Sequence, residues 1–234
     1  MTRRTLVLML AFAGLVWSAE TASAQDTKID DGTFRLLVGG REVGRETFSI
    51  RRAGDGEAAV TIAQGRVVRS DAGAAGEVSS NLQVNGPTLR PSSYQLEVRG
   101  DDRERITGRM TGGRFSARIT SSAGEMMREY LAGEGAVVVD DGIAHHHYFL
   151  TASGAAGDFR VPVIVPRRSR QISASVRNAG SASIEAGGRT VSATHLVVEM
   201  SDGPTRHVYV DSAGRVLRVE IPDQNFAAVR IELP

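Results

Sequence analysis

From Gly32 onward the chain is written largely in two-residue alternation. Tyr94, Leu96 and Val98 interleave with Gln95, Glu97 and Arg99, while Phe115, Ala117 and Ile119 interleave with Arg114, Ser116 and Arg118. Ile172, Ala174 and Val176 do the same against Ser173, Ser175 and Arg177. Successive side chains of a strand point to opposite faces, so each run predicts a strand with one apolar and one wet face, as in antiparallel meanders. Turn chemistry separates the runs at Gly39-Gly40, Gly54 to Glu57, Gly73 to Gly76, Gly112-Gly113, Gly187-Gly188 and Ser201 to Pro204. The clearest hairpin is HVYVDSAGRVLRVEI, 207–221, and a last strand is predicted over 226–233. No segment repeats with the spacing of a propeller or solenoid.

One stretch breaks this regularity. Residues 136–168, AVVVDDGIAHHHYFLTASGAAGDFRVPVIVPRR, carry the longest apolar blocks after the N-terminal leader. Val137 to Val139 reads as a buried strand ended by Asp140-Asp141-Gly142, and 159–165 reads as a strand that Pro162 confines to an edge or bulge. Between them, 143–151 fits a short helix capped by Asp141, or a strand with His145 and His147 on one face; the helix is favoured. Met126 to Leu131 shows no period, and Asp101 to Arg105 reads as a solvated hairpin end.

The first 24 residues have the parts of a secretory signal: Arg3 and Arg4, an apolar run from Leu6 to Trp17, and Ala22-Ser23-Ala24 as a cleavage site. The expectation is an exported, periplasmic protein with a flexible arm over 25–31 and one β-rich domain over 32–234. The leader's apolar run is too short to span a bilayer, which takes roughly 20 residues, and no later run approaches that length. No transmembrane span is expected. The absence of cysteine excludes disulfides, thiol nucleophiles, thiolate metal sites and a lipoprotein anchor. Removing Arg3, Arg4 and Glu20 from 28 basic and 27 acidic residues leaves 26 of each, so no long-range pull toward nucleic acid is expected. Lys28 is the only lysine and falls in the predicted arm, which argues against Schiff-base chemistry and a P-loop.

Candidate chemistry gathers in the central stretch, which holds three of the five histidines. The candidate ligand-binding region is Asp140, Asp141, His145, His147 and Tyr148. A metal site is not favoured; its alternative form uses His145, His147 and Asp141, whose nitrogen and oxygen ligands suit zinc, nickel or copper. No H-E-x-x-H or G-x-S-x-G pattern supports a zinc protease or an α/β-hydrolase, and consecutive carboxylates in an extended chain point apart. Gly54, Gly56 and Ala59 match a dinucleotide fingerprint by spacing, but Val60-Thr61-Ile62 reads as strand where that loop must open a helix. His207 is expected on the wet face with Tyr209, and His195 as a buried neutral histidine among Val191, Ala193 and Val197.

The segments GTFRLLVGGREVGRETFSI, VVVDDGIAHHHYFL with VPVIVPRR, and HVYVDSAGRVLRVEI resemble uncharacterised bacterial periplasmic domains whose architecture is similar to the lipoprotein-carrier (LolA-like) superfamily. The resemblance covers most of 32–233. It implies a curved antiparallel half-barrel around helical elements, often with an apolar cavity for lipid, and transfers no individual site residue. The expected fold is therefore mainly β: a single strongly curved antiparallel sheet, a half-barrel or open barrel of about a dozen strands, with a short central helical or loop segment. The expected function is non-enzymatic binding of a lipid or apolar small molecule, or of an envelope protein, without a cofactor. The alternative is a metal-dependent or hydrolytic enzyme centred on the histidine cluster.

Overall fold

Alternation and paired glycines translate into one continuous sheet. A computed structural model describes residues 26–70, 76–100, 102–133, 135–152 and 157–234. The predicted secretory leader with its expected cleavage point, most of the 73–76 turn and the middle of the 151–157 loop lie outside them. Starting at mid-sheet, β1 (Thr27–Val38) is followed outward by β2 (Arg41–Ala53), β3 (Val60–Arg69), β4 (Gly76–Asn85), β5 (Arg90–Gly100), β6 (Glu104–Thr111), β7 (Arg114–Ser121) and β8 (Gly124–Leu131), each beside its predecessor. The chain then crosses to the opposite edge at β9 (Val137–Val138). It returns through β10 (Phe159–Val165), β11 (Arg170–Ala186), β12 (Arg189–Met200), β13 (Arg206–Val210), β14 (Val216–Ile221) and β15 (Phe226–Arg230), which pairs with β1. All pairings are antiparallel except β9 with β10. Both residues of the Gly39-Gly40 and Gly112-Gly113 turns have positive φ, the requirement of the tight hairpin turn that matches strand twist.

The sheet is open, but it curls until its edges approach. The Gln171 side-chain amide at the start of β11 accepts from the Leu131 N–H (2.9 Å) and donates to the Leu131 C=O (2.6 Å), so one side chain imitates a neighbouring strand at the β8 edge. Into the concave face goes the central stretch. Val137 to Val139, Ile143, Ala144, Phe149 and Leu150 are all at most 3% exposed and join one apolar cluster with Phe34, Leu82 and Phe115 of the sheet. Each of these side chains larger than alanine contributes roughly 1.5–3 kcal/mol on burial. The segment therefore plugs the concave face.

Three details differ from the sequence expectation. The predicted arm is strand from Thr27, because Asp30, 3% exposed, closes on Arg230 of β15. Met126 to Leu131 belongs to β8, whose residues are exposed apart from Tyr130; an edge strand wet on both faces leaves no alternation to read. The sheet also carries apolar side chains on both faces. A register irregularity between Asn178 and Ser181 inserts an extra residue into β11, so Ile184 and Ala186 leave the face that holds Ala174 and Val176 and pack with Ala193 and Leu217 in a second cluster. Leu233 packs against it, and Gly187 N–H donates to Arg230 C=O at 3.0 Å.

Candidate functional site

Glu46 on β2 organises the centre. It shares strand parity with Phe48 and Ile50 and so points inward, where its carboxylate accepts from Ala144 N–H (2.6 Å), His145 N–H (2.8 Å) and His145 Nδ1–H (2.7 Å). The His145 ring stacks on Phe48 at 5.4 Å and meets His146 edge-on at 4.7 Å. Gly65 on β3 makes room, since a Cβ there would collide with the His145 ring. This anchor folds 142–146 as turns that lead into helix α1 (His147–Ala152). The helical reading of 143–151 is thus correct in kind and too long by a turn. Asp141 does not cap the helix.

His146 holds its proton differently from His145 and His147. His146 Nδ1 accepts from Asp140 N–H at 3.2 Å, which puts the proton on Nε2, whereas His147 Nδ1–H donates to Ala144 C=O at 2.9 Å, which leaves Nε2 as a bare acceptor. Burial, then the neighbouring His145 and His147 rings, hold His146 well below the ordinary imidazole range. Burial and Arg206 push His147 down to about 3. Both are neutral at ordinary pH.

The two aspartates part company, as expected of consecutive residues. Asp140, 1% exposed, turns inward and accepts from Tyr94 O–H (2.8 Å), Arg167 N–H (3.0 Å) and Asp141 N–H (3.1 Å). Burial outweighs these bonds and raises its carboxyl to about 7. Asp141 turns outward, ion-paired with Arg168 Nε and with Arg206 Nη2 at 3.3 Å. It stands beside a cavity of about 230 Å³ between the central segment and β13–β15, lined by the polar Arg69, Asp140, Asp141, His147, Arg168, Arg206 and Gln224 and by the apolar Ile143, Ile221 and Phe226.

Arg206 is the residue that the sequence reading passed over. It is 4% exposed, and its Nε and Nη1 have no hydrogen-bond partner among the described residues; nor has His147 Nε2. Burial and the charge of Arg168 lower its pKa, while Asp141 opposes them. The signal was present in the pattern: Arg206 shares parity with Val208 and Val210, which face the core.

Of the candidate region, the structure brings Asp140, Asp141 and His147 to the cavity wall. His145 is committed to Glu46, and Tyr148 is half-buried at 5.3 Å from Phe149, its phenol raised by burial and by Asp30. His145, His147 and Asp141 therefore do not converge as the alternative metal set required, because the segment forms turns and not the strand that would align 145 with 147. Among the described residues no group of three or more His, Cys, Asp or Glu is placed to hold a metal ion. Elsewhere, His195 and His207 share a 2.8 Å hydrogen bond in a stack with Tyr209 on the convex face; His195 is half-buried there, not fully enclosed. A larger depression of about 760 Å³ over β5–β7 is shallow and open, and its Arg99 and Arg105 are paired with Glu97.

No family model matches the chain, and no curated protein does. Among solved structures the fold is similar to the crystal structure of a beta-barrel-like protein of domain of unknown function DUF1849 from Brucella abortus. The match has a TM-score of 0.51 and 9% identity over 86% of this chain and 95% of that one. At that identity the likeness is one of fold alone: a mainly β, barrel-like architecture. No helix among the described residues is long and apolar enough to cross a membrane.

Proposed function

We propose that this chain is an exported, non-enzymatic binding protein that holds one small ligand in the cavity between the central segment and β13–β15. The observation that carries the reading is the cavity's mixed lining, in which the buried and incompletely partnered Arg206 and His147 stand together with the apolar Ile143, Ile221 and Phe226. Ligand sites are typically apolar hollows with a few fixed polar groups, and a binding role needs no reacting atom. The described lining offers no hydroxyl or thiol nucleophile beside His147, which weighs against hydrolysis.

The expectation of a lipid-like ligand narrows here. The concave apolar face is filled by the central segment, and a cavity of about 230 Å³ lies below the roughly 300–1,000 Å³ of drug-sized sites. The site admits the polar end and a short apolar part of an amphiphile, not a whole lipid. The lipoprotein-carrier resemblance supports a ligand held beneath a helical element inside a curved sheet, and the secretory leader supports periplasmic export. Native mass spectrometry of the mature protein from its own periplasm tests the reading. A small-molecule adduct whose removal changes the amide spectra of 140–147 is expected; an adduct-free protein whose segment no periplasmic extract perturbs sinks it.

A second observation favours an envelope partner. The outer edge of β8, which pairs with no strand among the described residues and is capped at Leu131 by Gln171, displays Met126, Met127 and Leu131, 42%, 52% and 65% exposed. Exposed strand edges with apolar side chains invite an added strand. Protection of β8 amides by an envelope fraction separates this reading from the first.

A further inference from the structure

Resting on the reading of the cavity as a ligand site, we infer that it is an anion site for a carboxylate carried on a short apolar group, with Asp141 as its built-in competitor. Arg206 and Arg168 meet at one wall, and the acceptor between them is the side chain of Asp141. A carboxylate already demonstrates the fit in covalently tethered form. Asp141 satisfies Arg206 incompletely, however: it reaches Nη2 alone, at 3.3 Å, and leaves Nε and both Nη1 hydrogens without acceptors on a side chain that is 4% exposed. A guanidinium fork matches a carboxylate best through two parallel N–H bonds, and such pairs are the strong, charge-assisted ones.

The remaining surroundings select the rest of the ligand. His147 is neutral and presents Nε2 as an acceptor, so it suits a ligand hydroxyl or amide N–H better than a second negative charge. Ile143, Ile221 and Phe226 supply an apolar wall for a short chain. Arg206 Nε and Nη1 are sealed from the cavity as the side chain now stands, so an incoming carboxylate would displace Asp141 from Nη2, turn the guanidinium to pair with a second N–H, and leave Asp141 with Arg168, which stays beside it. Ligand and Asp141 thus compete for the same guanidinium.

The test is calorimetric titration of the full mature protein with hexanoate, with hexanol and inorganic phosphate as comparisons, followed by amide spectra of 140–147. Hexanoate is expected to bind and to shift Asp141 and His147. Arg206→Met, which keeps length and apolar contact, is expected to weaken it by about tenfold or more, the loss of a charge-assisted pair. Asp141→Asn is expected to tighten it by roughly tenfold as the competitor loses its charge. A thermal melt shows whether each variant is folded, and Arg168→Gln supplies a second variant from the same wall. Equal hexanoate affinity in the wild type, Arg206→Met and Arg168→Gln overturns the inference. Hexanol binding as well as hexanoate, with shifts at 143–147, overturns the anion assignment but leaves the ligand site standing. Phosphate binding more tightly than hexanoate overturns the choice of carboxylate. Silence from all three probes overturns the inference, while a native adduct found independently would keep the cavity reading alive.

Discussion

Two buried arginines in this sheet show how alike a structural and a functional charge look until their donors are followed. Arg230 is 2% exposed and Arg206 4%. Arg230 donates from Nε to Val216 C=O (3.0 Å), from Nη1 to Asp31 C=O (2.8 Å) and from Nη2 to both Asp30 oxygens (2.5 Å each), and lies over the rings of Phe48 and Phe34 at 4.9 and 5.5 Å. All of its nitrogens are used, and it seams the first strand to the last. Arg206 has one weak partner and a cavity. Desolvating a guanidinium is costly, and only full hydrogen bonding and pairing offset that cost. The satisfied arginine belongs to the fold; the unsatisfied one is the group on which the proposed ligand site rests.

That contrast breaks most visibly at Asp30. Asp30→Ala strands the Arg230 charge and should cost about 3–5 kcal/mol in urea unfolding. Arg206→Met should stay within about 1 kcal/mol of the parent or exceed it, because an incompletely paired charge is replaced by an apolar chain. Equal losses from the two would erase the distinction. At least as large is Glu46→Ala, which orphans two backbone N–H groups and the His145 ring at roughly 1–3 kcal/mol for each buried donor. Hydrogen exchange should place the resulting opening at 140–152 before the sheet, whereas uniform exchange would show that the segment has no stability of its own to lose.

Asp140 sharpens the comparison through pH. Its folded pKa of about 7 lies above its ordinary 3.8, so between these values the native state binds the extra proton, and this group's contribution falls as pH rises. His146 and His147 have depressed values, about 3 for His147 against 6.5, so their contribution is present above 6.5 and lost on acidification. The two effects oppose each other over about pH 4–6.5. Asp140→Asn removes the counterweight, and its unfolding midpoint should drop more steeply than the wild type's from pH 6.5 to 4. A parallel profile would mean that Asp140 does not retain its proton. The smallest effect belongs to Gln171→Ala: about 0.5–1.5 kcal/mol, read as faster exchange of the Leu131 amide at the β8 edge.

Much of this arrangement was legible along the chain. Period-two alternation and paired glycines locate most of the strands, and the interruption at 136–168 marks the stretch that fills the barrel. The same alternation puts Glu46 beside Phe48 and Arg206 beside Val208 on an inward face, a polar residue where the pattern calls for an apolar one, so both could have been flagged as buried charges. What each would meet could not be read. Glu46 finds its partners 98 and 99 positions away, and Asp30 finds Arg230 200 positions away.

Local stereochemistry belongs to the sequence: which residues extend, which turn, and which face of a strand is apolar follow from neighbours a few positions apart. Tertiary structure decided everything that depends on closing long loops. It set the register shift that sends Ile184 to the second face, the edge position that hides β8 from periodicity, and the meeting of Asp141, His147, Arg168 and Arg206 around one cavity. A side chain's parity is fixed by its own strand, but its partner is fixed by how far the whole sheet curls.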